Sequence, residues 1–199
     1  MNNKRKVNII IGTSVLTAIL IVLQILSNYI TIASISINLS MIPIVIGSIL
    51  YGPLVGLFLG LVDGIVIIFS PSTIAVFMPI TVIGTIFVCL TKTGIAGLVS
   101  GLIYRAFEKK NYKVGAIIST LVVPIINTGL FSIAALTIFR SFLESLVSAD
   151  YSNIYLVLLF LVIGVNFIVE FLLNAFLSPT ILYIIKIRQN RNFNKAAKN

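Results

Sequence analysis

Long apolar runs that carry almost no charge dominate the sequence and constrain its fold. Of the 199 residues, 59% are hydrophobic and only 10% are charged. A water-soluble domain carries charge on about a quarter of its positions, because its surface must be solvated. A bilayer core about 30 Å thick needs roughly 20 apolar residues for one helical crossing. The sequence therefore predicts an all-α integral membrane protein, in which backbone polar groups are paired inside helices.

Six apolar runs are assigned as crossings, separated by Gly, Pro and polar residues. They cover residues 8–27, 39–51, 54–69, 93–107, 114–139 and 154–185. The stretch from 73 to 107 would extend about 50 Å as one straight helix, which is too long for a single span. We therefore expect 74–90 to be a loop or broken segment at membrane depth. The sequence predicts one membrane domain, 1–199, built as a six-helix bundle.

The basic residues fall at one end of this bundle. Apart from Lys92 and Arg140, every Lys and Arg lies before the first crossing, around the loop between the fourth and fifth, or after the sixth. Because positive residues stay in the cytoplasm, both termini are expected there, with basic tails at about 1–7 and 186–199. These clusters are interpreted as topogenic flanks and lipid contacts, so nucleic acid is not an expected partner. A signal peptide is the competing interpretation of the first run, which is nearly a full span and lacks a clear cleavage site.

Residue types that catalysis would need are missing from the sequence. There is no His, so a His-based zinc site and a Ser-His-Asp triad are excluded. Intramembrane aspartyl chemistry needs two aspartates within spans, and only Asp63 qualifies. No Walker A loop occurs, so any ATP must be hydrolysed by a partner. We expect neither an enzyme nor a metal or cofactor bound to this chain.

Polar residues inside the spans are the candidate binding residues, since ionisable groups at bilayer depth are costly unless they are paired or face a cavity. Glu170 lies in the sixth crossing, with Asn166 and Asn174 four residues away on either side. All three share one helix face. In the fifth crossing Asn127 follows Pro124, which removes a backbone hydrogen bond and can open the helix toward a cavity. Both crossings are expected to face a solute.

The remaining candidates lie in the outer half of the bundle. Thr128 adds a hydroxyl in the fifth crossing, Asp63 lies in the third, and Asn38 lines the entrance to the second. Arg140, just outside the fifth crossing, is placed to meet an anionic solute, with an i,i+4 ion pair to Glu144 as the alternative. For the asparagines the alternative is hydrogen bonding between helices. No basic residue is expected at the depth of Glu170.

Small residues and polar stretches together carry a family resemblance. The first crossing holds the small-x-x-x-small pair Ser14 and Ala18, and glycines recur every four residues from Gly52 to Gly64 in the third, as is typical of close helix packing. The chain resembles the substrate-binding (S) components of energy-coupling factor (ECF) transporters, the prokaryotic vitamin importers. The stretches that carry the resemblance, which covers essentially the whole chain, are 38–43 with 52–56, then 124–131, then 166–179.

The resemblance implies a division of labour. The chain would capture a vitamin or related micronutrient at the outer face of the plasma membrane and associate with a transmembrane coupling protein (EcfT-like) and two ATPase subunits. Ser14 and Ala18 would belong to the docking surface, and loops at about 28–38 and 70–79 would cover the site. The later stretches look most like the branch associated with pantothenate uptake, while riboflavin and pyridoxine-type compounds remain open. A stand-alone small carrier or channel is the alternative function.

Overall fold

The computed structural model describes residues 3–29, 31–32, 35–36, 38–147 and 153–196. These residues are overwhelmingly helical, as predicted, and the only strands among them, β1 and β2, pair antiparallel, with Thr31 opposite Ser36. The elements in chain order are α1 Asn3–Ser27, β1 Thr31–Ile32, β2 Ile35–Ser36, α2 Met41–Tyr51, α3 Pro53–Ile68, a first π-helical segment Thr73–Phe77, α4 Val82–Thr137, α5 Arg140–Ser145, α6 Ile154–Val157, a second π-helical segment Leu158–Gly164 and α7 Val165–Ala196.

Helix α4 consists of two arms that meet at Asn111. This residue has non-helical dihedral angles, φ −155° and ψ 92°. Its Oδ1 accepts hydrogen bonds from the backbone N–H groups of Lys113 and Val114, at 3.2 and 3.3 Å. Such bonds satisfy amides that the start of a helix leaves without partners. We call residues 82–110 the first arm and residues 112–137 the second arm.

The first arm begins earlier than the sequence predicts. Thr81 caps it, because its Oγ1 accepts a hydrogen bond from the Gly84 N–H at 3.2 Å. The expectation of a loop or broken segment over 74–90 is therefore wrong for 82–90, which is helical. Within that stretch, the backbone departs from a regular α-helix only before Val82. An arm of this length measures about 43 Å, and tilting accommodates a helix longer than the bilayer is thick.

Glycines let α3 and the first arm approach closely. A Cβ atom on Gly56 would meet the carbonyl oxygen of Gly97, and one on Gly97 would meet that of Gly56. A Cβ atom on Gly60 would lie 2.6 Å from the carbonyl carbon of Thr93. Gly52, between α2 and α3, has a φ of +105°, which L side chains rarely adopt. The glycine spacing in the third crossing thus serves helix packing, as predicted.

The helices pack around an apolar core and expose apolar side chains outward. The largest buried cluster joins α2, both arms of α4 and α7, and includes Met41, Tyr104, Val123 and Ile181. Large apolar side chains such as Phe176 are exposed on the outer surface. Among the described helices, α1, α4 and α7 contain segments long and apolar enough to cross a membrane, and α2 and α3 are shorter apolar helices. This surface is consistent with a membrane-embedded protein.

Candidate solute-binding cavity

A cavity of about 370 Å³ lies where the ends of several helices meet. This volume is in the range of small-molecule sites, which are typically about 300–1,000 Å³. The polar residues that line it are Gln24, Ser27, Asn28, Asn38, Ser70, Ser72, Thr73, Lys92, Asn127, Thr128 and Glu170. The apolar lining residues are Ile67, Val76, Phe77, Phe131, Phe142, Leu146 and Phe167. The wall therefore combines hydrogen-bonding groups, one amine, one carboxyl group and aromatic rings.

Four of the predicted residues line this cavity. They come from the loop before α2 (Asn38), the second arm (Asn127 and Thr128) and α7 (Glu170). Asn127 is 6% exposed, and its Oδ1 has no hydrogen-bond partner in the described part of the chain. Glu170 is 9% exposed and forms no ion pair with any residue that the structure describes. Polar groups on separate elements thus converge on one space.

Two other predicted residues are buried away from the lining. Asp63 on α3 is fully buried, and neither carboxylate oxygen has a partner among the described residues. The neighbouring Ser40 hydroxyl donates to Oδ1 of Asn38 instead. Asn174 is 1% exposed, and its Nδ2 donates to the carbonyl oxygen of Glu170 at 2.9 Å. Its Nδ2 also contacts the sulfur of Met41 on α2 at 3.9 Å, so Asn174 supports helix structure and helix packing rather than the cavity wall.

Arg140 lies outside the described lining of the cavity. Arg140 is exposed, and its Nε donates to Oε1 of Glu144 at 2.8 Å, which is the surface ion pair that the sequence offered as the alternative. This hydrogen bond raises the pKa of the Arg140 guanidinium above its usual value. The placement of Arg140 at an anionic solute is therefore not supported by its position. Asn166 lies in α7, and its side chain is outside the described residues.

Lys92 lines the cavity, although the sequence gave it no role. Its Nζ lies 5.3 Å from the centroid of the Phe131 ring, within the range of a cation–π interaction. It also interacts electrostatically with Asp63 and Glu170. The expectation that no basic residue lies at the depth of Glu170 is therefore wrong. The physical reason is the early start of the first arm at Val82, which places Lys92 well inside the helix rather than at its outer end.

Aromatic rings close one side of the cavity. Phe77, in the first π-helical segment, contacts Phe131 at a ring-centroid distance of 5.7 Å and Phe142 at 5.4 Å, both near edge-to-face. Phe139 packs on Phe77 at 4.9 Å. Edge-to-face pairs at these distances stabilise a specific arrangement beyond simple burial. This cluster connects the first π-helical segment to the second arm of α4 and to α5.

Both segments expected to cover the site contribute to its wall. Asn28 and Asn38 come from the first, and Ser70, Thr73 and Phe77 from the second. A side-chain hydrogen bond holds the second segment, because the Ser70 hydroxyl donates to Thr73 Oγ1 at 2.8 Å. No charged residue occurs in either stretch. Uncharged segments at this position avoid the cost of placing charge near lipid.

The bundle, with its apolar surface and a small polar cavity, defines a membrane-embedded protein that binds a small solute. Residues 10–185 match the family model described as ECF transporter, substrate-specific component. The chain belongs to this family, as the resemblance predicted, and is thus a substrate-specific subunit of an ECF importer. The family implies association with a membrane coupling component and ATPases. No curated protein and no solved structure matches the chain.

Proposed function

We propose that the chain captures a vitamin or related micronutrient at the outer face of a prokaryotic plasma membrane and delivers it inward with a coupling protein and two ATPase subunits. The position of the cavity carries this proposal. On α1 the cavity residue Gln24 lies near the opposite end from Lys6, and on α7 Glu170 precedes the basic end that starts at Lys186. Because basic residues stay in the cytoplasm, the cavity faces outward.

In the proposed topology the chain is one membrane domain with six crossings and both termini in the cytoplasm. The crossings are α1, α2, α3, the two arms of α4, and α7 together with the second π-helical segment. The bend at Asn111 then lies in the cytoplasm among basic residues, with the basic tails 1–7 and 186–199 on the same side. Helix α2 is about 17 Å long, shorter than the bilayer core, and it packs between longer neighbours.

A stand-alone channel or carrier is less well supported, because the bundle is packed toward its basic end. Val45 and Ile49 of α2, Tyr104 of the first arm and Ile185 of α7 belong to one buried apolar cluster there. The deeper hydroxyls of that region are largely paired within the protein, as in the 2.8 Å contact between Ser48 of α2 and Ser100 of the first arm. A channel would need polar groups that continue through this layer. A binding subunit whose cavity opens on one side needs no polar path through this layer.

The docking surface for the coupling protein is proposed on α1. Ser14 and Ala18 are both exposed, and the Ser14 hydroxyl already donates to the carbonyl oxygen of Ile10 at 3.0 Å. With its polar group satisfied, this face offers a shallow, small-residue surface that another helix can approach closely. In this scheme the chain itself has no catalytic activity and no cofactor, and its partners hydrolyse ATP.

Pantothenate is the particular solute that we propose within this function. Its hydroxyl and amide groups match the hydrogen-bonding groups of Asn127, Thr128 and Glu170, and the apolar wall near Phe131 accommodates its methyl groups. Riboflavin and pyridoxine-type compounds are the alternatives. Mass spectrometry of the small molecule that co-purifies with the chain distinguishes among the three.

Co-purification tests the transporter proposal. The tagged chain is co-expressed with an ECF coupling protein and two ATPases and purified in a mild detergent, and we expect all partners in one complex that supports ATP-dependent uptake. Ala18→Phe should abolish partner recovery and uptake but leave solute binding intact. Leu102→Phe, at a 51% exposed position on the first arm, is the matched control and should keep both. Recovery of no partner by the unmodified chain would contradict the proposal.

A further inference from the structure

We propose that Lys92 is the anion-binding residue of the cavity, and that the solute is a small organic acid that also carries hydroxyl, amide or ammonium donors. This inference rests on the proposed function, because it specifies the chemistry of the solute in the same cavity. It assigns recognition of the acid group to the first arm of α4 rather than to Arg140.

The surroundings of Lys92 leave its ammonium group available to a solute. Lys92 lines the cavity and is partly buried, and it is the one basic residue among the described lining residues. Within the described part of the chain, no carboxylate lies within the 4.0 Å of an ion pair with it. A cation at membrane depth is costly unless a partner compensates its charge. The Phe131 ring compensates part of that charge, and Asp63 and Glu170 contribute from beyond ion-pair distance, so the acid group of a solute would be the direct partner of the ammonium group.

Glu170 indicates what the other end of the solute carries. Glu170 also lines the cavity and is 9% exposed, and its carboxylate has no ion-pair partner among the described residues. An ionised carboxylate only accepts hydrogen bonds, so it is met best by hydroxyl, amide or ammonium donors. The lining thus holds one ammonium group and one carboxyl group. A solute with an acid group at one end and hydrogen-bond donors at the other provides a partner for both, whereas an uncharged aromatic solute provides no partner for the ammonium group.

Arg140 does not compete for this role in the described structure. It is outside the cavity lining, its side chain is 61% exposed, and its guanidinium is already paired with Glu144. Exposed pairs of this kind are screened by water and salt. An acid group bound in the cavity therefore meets the ammonium of Lys92.

Matched pairs of acids and uncharged analogues test this inference. The probes are pantothenate with panthenol and nicotinate with nicotinamide, added to the purified full chain in detergent while equilibrium binding and the thermal unfolding midpoint are measured. We expect an acid to bind about 10- to 100-fold more tightly than its uncharged analogue, which corresponds to the ~1.5–3 kcal/mol of a hydrogen bond to a charged group. Lys92→Met should abolish that preference, and Lys92→Arg should retain most of it. Lys109→Met, an exposed position, is the control and should change nothing.

Three results would overturn the inference: binding of no acid by the unmodified chain, tighter binding of riboflavin or pyridoxine than of any acid, or an acid preference that survives Lys92→Met. If Lys92→Met does not fold, the acid preference of the unmodified chain and its retention in Lys92→Arg decide the question. Partner recovery tests the proposed function independently. A chain that recovers its partners but prefers uncharged solutes would keep the proposed function and refute the role of Lys92.

Discussion

The buried amide of Asn127 leads to a prediction in which stability and solute binding change in opposite directions. Asn127 lies in the second arm, lines the cavity and is 6% exposed. Its Oδ1 is inaccessible to water and has no hydrogen-bond partner among the described residues. Asn127→Leu keeps the number and branching of the heavy side-chain atoms and removes both polar atoms. The substitution therefore separates what the amide does for folding from what it does for binding.

The expected magnitudes follow from this environment. A buried polar group without a partner costs about 1–3 kcal/mol, and Leu also has a higher helix propensity than Asn. The free energy of unfolding of the unliganded protein should therefore rise by about 1 kcal/mol or more. The amide can turn about its last torsion angle to present oxygen or nitrogen to a solute. Loss of that hydrogen bond, about 0.5–1.5 kcal/mol, should weaken solute binding by roughly 2- to 12-fold.

Asn174→Leu is the matched control for this experiment. Asn174 is also buried in a helix, but its Nδ2 donates to the carbonyl oxygen of Glu170 at 2.9 Å and the residue does not line the cavity. The same substitution there removes a hydrogen bond that is made, so the free energy of unfolding should fall. Titration with SDS in mixed micelles measures stability, and calorimetry measures binding. If Asn127→Leu destabilised the empty protein as much as Asn174→Leu does, the reasoning from the unpartnered oxygen would be refuted.

Three further substitutions test helix packing and the outer ion pair. In Gly60→Ala the new Cβ would lie 2.6 Å from the carbonyl carbon of Thr93, so α3 and the first arm must separate; we expect a loss of about 1–3 kcal/mol in SDS unfolding. Gly129→Ala, with nothing within 4 Å of its Cβ, should stabilise the second arm by up to about 1 kcal/mol, and equal effects of the two would argue against close packing. Arg140→Gln should change solute affinity by less than about twofold, because the residue is exposed and outside the cavity. A tenfold loss of solute affinity in equilibrium binding would indicate that Arg140 contacts the solute after all.

Helix boundaries were predictable where the sequence carries its own stop signals. The turn at Gly52 and Pro53 sets the junction of α2 and α3, and the observed bounds lie within about two residues of those predicted. The start of the first arm was not predictable in the same way, because it depends on one side-chain cap at Thr81 in an otherwise apolar stretch. That local bond changes the depth assigned to Lys92, and with it the electrostatics of the cavity.

The site itself was predictable to the extent that polar residues stand out in apolar runs. This rule identified Asn127 and Glu170, and it also applies to Gln24, which was not selected although it lies in the first apolar run and lines the cavity. The aromatic wall had no such signal. Phe77 and Phe142 are two of 13 phenylalanines in an apolar chain, and only the folded arrangement brings them together.

The pattern of satisfied and unsatisfied polar atoms separates structural from binding residues in this bundle. Most buried hydroxyls bond to the carbonyl oxygen one turn earlier, as Thr93 does with Cys89 and Thr120 with Ala116, so they need no solute. Amide oxygens and ionised carboxylate oxygens carry no proton, so they can only accept a hydrogen bond from a neighbouring donor. Among the described residues, the buried oxygens of this kind without a partner belong to Gln24 and Asn127 in the cavity wall and to Asp63 beside Ser40. Because unpaired acceptors are costly in lipid, the oxygens of Gln24 and Asn127 in the cavity wall are better explained by solute binding than by helix packing.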